Sequence, residues 1–258
     1  MGYFRPFSTA DFNRDSAPDH VLFNPATRVA KAVLLENNRL LAGSPLALPI
    51  IAASNILVDA ADFDGDGNPD LLLQNPSTKA LTVWFLNASG TYARTRTGPP
   101  IPAGNTFAGT GHANTDGLVD IFFLNPATLR MSVGYQTATT WTAAAGSLAL
   151  PSTDDLVGIA DFNSDTVADY ILKNKTSGAL TVWYLTNINT RLGLLTLPAA
   201  RAGYSFAGVA DYNRDFSTDL LLRQNGTNAL LARYMTAATI RLERTTPAIE
   251  PGFNLITP

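Results

Sequence analysis

Short apolar runs recur along the chain at nearly even spacing. They read HVLF (20–23), LLL (71–73), IFFL (121–124), YIL (170–172) and LLL (220–222). Runs of this length, bounded by turn residues, predict strands buried on both faces. Each is preceded by a cluster of aspartates and followed by a small polar turn: NPAT at 24–27, NPST at 75–78, NPAT at 125–128, NKTS at 174–177 and QNGT at 224–227. A further extended segment comes next, most plainly LTVWFL (81–86) and LTVWYL (180–185), with VAKAVLL (29–35), MSVGYQ (131–136) and LLARYM (230–235) in the same place. A shorter variable segment and a Pro/Gly linker close each unit. With one more segment leading into the aspartates, such as FAGVA (206–210), every unit predicts four strands. No stretch of ten or more residues holds a 3.6-residue period, so helix is not expected.

The unit repeats five times. Its aspartate segment reads ADFNRDSAPDHVLFN (10–24), ADFDGDGNPDLLLQN (61–75), GHANTDGLVDIFFLN (111–125), ADFNSDTVADYILKN (160–174) and ADYNRDFSTDLLLRQ (210–224). Its first loop position falls at Asp11, Asp62, His112, Asp161 and Asp211, in steps of 51, 50, 49 and 50 residues. Four strands per fifty-residue repeat predict a blade. The expected fold is therefore all-β, a five-bladed β-propeller of four antiparallel strands per blade. It forms one domain over residues 1–258, with units near 7–57, 58–107, 108–156, 157–206 and 207–258. Closing the ring removes exposed sheet edges, and neither end unit has the polar face that an open array needs. By period, the tail PGFNLITP (251–258) matches residues 1–8. Residues 7–10 are expected to form the first strand, with the tail packing near them.

Composition narrows the functional classes. Charged residues make up 15% of the 258, with a net charge of −3 and no dense basic patch, so nucleic acid is not an expected partner. The chain has no cysteine, which excludes disulfide and thiol chemistry. No run reaches 18 apolar residues, so no membrane insertion is expected. The opening MGYFRPFSTAD has no long apolar run and does not read as a signal peptide. The histidines are His20 and His112, and there is no G-x-S-x-G elbow, zinc spacing or glycine-rich phosphate loop. A non-enzymatic protein is expected.

The aspartates carry the candidate chemistry. Fifteen of the eighteen lie in the five loops. In the second loop Asp62, Asp64, Asp66 and Asp70 present carboxylates at positions 1, 3, 5 and 9, and Asn68 offers a backbone carbonyl at position 7. Hard oxygen ligands at this spacing suit Ca²⁺. An EF-hand needs Glu at position 12, where this chain has Leu73 inside a strand. Asn replaces Asp at position 3 in the first loop (Asp11, Asn13, Asp15, Asp19), the fourth (Asp161, Asn163, Asp165, Asp169) and the fifth (Asp211, Asn213, Asp215, Asp219). The third keeps Asn114, Asp116 and Asp120 beside His112, a poor Ca²⁺ ligand. Ser16, Thr166 and Phe216 stand where Gly67 permits a left-handed turn. Self-capping turns without metal are the alternative reading, because Asp and Asn side chains readily accept nearby backbone N–H groups.

The pattern of Asp loop, apolar strand, N-x-x-T turn and TVW-aromatic-L strand resembles the FG-GAP and VCBS-type repeats of integrin α-subunit and bacterial propellers. The resemblance covers all five units. It implies Ca²⁺ between the first two strands of a blade, and a secreted or cell-surface setting. It further implies a binding module, carbohydrate-binding or adhesive, with glycans or a surface protein as partners. The alternative is a protein-interaction scaffold within a larger exported protein, or a module attached to a hydrolase. A monomer is favoured. Trp84 and Trp183 share one place in the repeat, which predicts packing between blades. Trp141 has no counterpart, and Arg233 stands in the tryptophan's place, where an exposed groove is expected. Sequons occur at Asn87, Asn174 and Asn225.

Overall fold

The computed structural model describes residues 11–36 and 38–256. They form five four-stranded antiparallel sheets and one small hairpin, Leu35–Glu36 with Arg39–Leu40. Blade two runs Ile56–Ala61, Asp70–Gln74, Leu81–Leu86 and Tyr92–Thr97 in spatial order, from the axis outward. Blades three, four and five follow the same order, with innermost strands Thr106–Gly111, Asp154–Ala160 and Tyr204–Ala210. The innermost strands of successive blades lie against one another around the axis. The protein is a five-bladed β-propeller, as the repeat predicts.

The apolar runs explain why the blades stack. Successive side chains of a strand point to opposite faces. Leu71 and Leu73 therefore pack against Val21 and Phe23 of blade one, while Leu72 packs against Ile121 and Phe123 of blade three. The scheme continues around the ring. Phe122 meets Tyr170 and Leu172, Ile171 meets Leu220 and Leu222, and Leu221 meets Leu22. The core is thus five apolar layers, one in each seam between blades. A strand with no wet face has no reason to alternate.

Blade one is built differently. Its inner position is filled by Asn254–Ile256 from the far end of the chain, paired antiparallel with His20–Phe23 through Val21–Ile256, Leu22–Leu255 and Phe23–Asn254. The expectation for residues 7–10 lies outside the described residues, but the place beside His20–Phe23 belongs to the tail. This corrects the expectation that the tail only packs nearby. Its pairing follows from Leu255, which inserts beside Val33 and Tyr212 in the seam between blades five and one. Asn38 adds a latch across that seam, donating from Nδ2 to the Tyr212 carbonyl (3.2 Å) and to the Tyr234 hydroxyl. Lys31 pairs with Glu250 and lies over the Phe253 ring.

The other four innermost strands share one irregularity. Each has a bulge just before Asp59, Gly109, Gly158 and Gly208. Glycine suits this crowded bend: a Cβ at Gly158 would come within 2.8 Å of Ile171. Blade two breaks the rule with an aspartate.

Candidate metal centre and loop face

Four of the aspartate loops join a first strand to a second, and loop one leads into the second strand of blade one, so all five lie at one end of the ring. Each loop is folded by its own side chains. The position-1 carboxylate accepts backbone N–H groups across the turn: Asp11 from Asp15 (3.0 Å) and Ser16 (2.7 Å), Asp62 from Gly65 and Gly67 (2.8 Å each). Asp161 and Asp211 do the same for Thr166 (2.8 Å) and Phe216 (2.9 Å). Position 3 caps the N–H of position 5 through Asn13, Asp64, Asn114, Asn163 and Asn213. Position 5 caps position 7 through Asp15, Asp66, Asp116, Asp165 and Asp215. These bonds hold non-glycine residues in the left-handed region, with φ of 71° at Ser16, 74° at Thr166 and 66° at Phe216. The loops without glycine keep the turn instead of changing it.

The position-9 aspartates do another job. Asp19, Asp70, Asp120, Asp169 and Asp219 are buried. One oxygen of each accepts the N–H seven residues back: Phe12, Phe63, Ala113, Phe162 and Tyr212. The other accepts the N–H sixteen residues on, at Leu35, Leu86, Gln136, Leu185 and Met235. Each carboxyl therefore clamps its loop to the end of the blade's third strand. Burial pushes Asp70 and Asp219 up to about 8, and Asp19, Asp120 and Asp169 up to about 7, against the smaller downward pull of the two N–H donors. Burial likewise raises Asp11, Asp62, Asp161 and Asp211.

Loop two brings Asp62, Asp64 and Asp70 together, with one oxygen from each inside a 4.8 Å cluster. Three hard oxygens this close can coordinate a metal ion. Two further side chains bear on the site. Arg94 pairs with Asp64 at 2.7 Å, and the Asn68 side chain accepts from Arg14 of loop one. Among the described residues no other three carboxylates or imidazoles converge in this way. In loops four and five, Asn163 and Asn213 turn their amide nitrogens toward Asp165 (2.9 Å) and Asp215 (3.0 Å). Asn13 donates to the Leu35 carbonyl. Burial holds His112 of loop three down to about 4, and its carbonyl accepts from Ala168 at 2.7 Å.

Neighbouring loops are tied to one another. Arg214 pairs with Asp15, Arg14 reaches loop two, and Thr218 donates to the Asp161 carbonyl at 2.6 Å. Gln136 donates to the Phe63 carbonyl (2.6 Å) and accepts from Arg96 (2.6 Å), linking blades two and three. The sequence analysis missed Gln136 and Asp59. Aligning the repeats flags both, because Leu or Met fills the first place elsewhere and Gly fills the second in units three, four and five.

The singled-out aromatics and Arg233 are absorbed by packing. Trp183 is buried in the seam between blades three and four, with Arg191 over its ring at 4.5 Å. Trp84 meets Tyr92 edge-on. Trp141 donates its indole N–H to the Thr97 carbonyl of blade two (3.0 Å) and stands edge-on to Phe63. Arg233 opens no groove. It is 4% exposed, bonded to Glu243 (2.8 and 2.9 Å) and to the Ala199 carbonyl (2.7 Å).

The fold and loops define a five-bladed β-propeller with a self-capped acidic loop face and one cluster able to hold a cation. No protein-family model and no curated protein matches the chain. Solved structures similar to it include a Photorhabdus luminescens Tc holotoxin pore, at 16% identity and a TM-score of 0.47, covering 96% of this chain and 13% of that one. A Lactobacillus plantarum protein is similar at 17% identity and a TM-score of 0.44, covering 87% and 70%. The Dos1 propeller follows at 12% identity and a TM-score of 0.41, covering 95% and 64%. At this level the similarities assign neither a family nor a function to this chain.

Proposed function

We propose that the protein is a non-enzymatic, protein-binding scaffold of the FG-GAP and VCBS-type repeat class, working in a secreted or cell-surface setting. One observation carries this reading: the five loops face one way, four neighbouring pairs are bonded directly, and loop two is tied to blade three through Gln136, which makes a continuous, firmly held surface. The side chains with catalytic chemistry are spent on the fold. Asp carboxyls cap N–H groups, and His20 lies buried against Thr246 and Tyr212. Trp183 and Trp141, the rings singled out for stacking on sugar, are committed to seams, which favours the scaffold reading over the carbohydrate-binding one.

Loop two would hold Ca²⁺ through Asp62, Asp64 and Asp70, with Asp66 and the Asn68 carbonyl completing the oxygen set. The ion would supply charge neutralisation and stiffness. Titration of chelator-treated protein with Ca²⁺, followed by calorimetry and thermal melting, tests this. Saturable heat with a raised melting temperature, both lost in Asp62→Ala, is expected. No heat and no shift would leave the loops as self-capped turns. On a glycan array the protein is expected to be silent, and a saturable sugar signal would restore the lectin reading.

A further inference from the structure

We propose that Asn225–Gly226 is a site of self-inflicted covalent modification, at which the chain converts its own asparagine to aspartate or isoaspartate. The repeat itself exposes this dipeptide. In four units an asparagine opens the turn after the second strand: Asn24, Asn75, Asn125 and Asn174. Its Oδ1 caps the N–H groups two and three residues on. Those side chains are tied down. The residue that follows is Pro25, Pro76 or Pro126, which has no N–H, or Lys175, whose N–H donates to the Thr153 carbonyl at 2.9 Å. In the fifth unit Gln224 takes the opening place, and the asparagine slides one position on, next to Gly226.

Three conditions meet there. Asn225 and Gly226 are both exposed, and a Cβ built on Gly226 would meet nothing within 4 Å. The Gly226 N–H has no hydrogen-bond partner among the described residues, while its neighbours Asn225 and Thr227 donate to Gly203 and Gln224. The Ser205 hydroxyl bonds to Asn225 Oδ1, which draws electron density from the carbon to be attacked. The Asp–Gly pairs of loop two differ, because Asp62 holds the N–H of both Gly65 and Gly67. At Asp116–Gly117 the side chain is a carboxylate, a far weaker electrophile than an amide.

The steps balance. The Gly226 nitrogen loses its proton and bonds to Asn225 Cγ. The Cγ–NH2 bond breaks and ammonia leaves with that proton. A five-membered succinimide remains, and one water opens it at either carbonyl. The product carries one new negative charge at the end of the ring opposite the aspartate loops, beside Arg223.

The test is to incubate the intact protein at neutral and mildly alkaline pH and map its peptides by mass. Asn225 is expected to convert faster than every other asparagine, with a rate that rises with pH and with isoaspartate among the products. Gly226→Ala should slow conversion by roughly tenfold, equivalent to about 1.4 kcal/mol on the barrier. Ser205→Ala leaves the turn backbone alone and should slow it by a smaller factor. Conversion of Asn225 no faster than that of Asn87 or Asn189, or a rate unchanged in both variants, would overturn the proposal.

Discussion

Asp59 shows how one side chain can depart from a fivefold rule. It sits where three other blades use glycine, is 1% exposed, and has Thr110 of the next blade donating to it at 2.9 Å. Burial pushes its carboxyl up to about 7, outweighing the hydrogen bonds that favour its charge. The native state therefore keeps a proton that the unfolded chain gives up near its ordinary value. By linkage, stability falls as pH rises from about 4 to about 7 and then levels off. Replacing Asp59 with Asn removes the ionisation and keeps an acceptor for Thr110. Urea melts of metal-free Asp59→Asn should show a shallower fall over that window, with the variant gaining a few kcal/mol relative to wild type by pH 7. An unchanged slope would mean that the carboxyl is solvated. The clamp aspartates give a second expectation at this scale. Asp219→Asn points an NH2 at a backbone N–H and should cost about 1–3 kcal/mol in denaturant unfolding. These two roles were not legible in sequence. An aspartate that clamps and one that ligates are the same letter, and the N–H sixteen residues away is fixed by strand length, not by any motif.

Elements were legible to a greater degree, for a physical reason. A blade buried on both faces demands continuous apolar strands, and LLL at 71–73 and 220–222 announces them without any partner being known. The joins were equally plain, because Asn24 and Asn75 cap their turns through the side chain. The closing strand was not plain. Residues 1–8 and 251–258 match by period, and only tertiary pairing shows which segment fills the place beside His20–Phe23. The structure gives that pairing to Asn254–Ile256, so removing residues 252–258 should unzip blade one and expose Val21 and Leu22. A loss of about 3 kcal/mol or more is expected, read as a lower melting temperature by circular dichroism. Leu255→Ser in the full chain tests the same contact more gently. If neither change moves the melt, the tail is a passive strand and blade one stands without it.

The whole molecule is electrically lopsided. The five loops carry fifteen aspartates and two arginines, while Arg28, Lys79, Lys175 and Arg223 lie in or beside the turns at the other end. Crowded like charges destabilise the compact state, and salt screens them. Raising NaCl from about 0.05 M to about 0.5 M shortens the Debye length several-fold. Metal-free protein should melt higher in the saltier buffer, by about 2–4 °C for each 1 kcal/mol of repulsion removed. Calcium should produce the same rise at far lower concentration if loop two holds it. A melting temperature that falls with salt would show that the loop ion pairs, such as Arg214–Asp15 and Arg94–Asp64, outweigh the repulsion.

The first blade is the last to be finished. Its inner strand is made after every strand of blades two to five, so a growing chain can stack those blades while blade one still lacks its fourth strand. Closure is therefore the last step in assembling the ring, and a chain that has not reached Asn254–Ile256 presents an open edge at His20–Phe23 to anything that can pair with it. Once the tail is seated, opening the ring means peeling Asn254–Ile256 away from His20–Phe23. That gives the finished disc a single place at which to come apart.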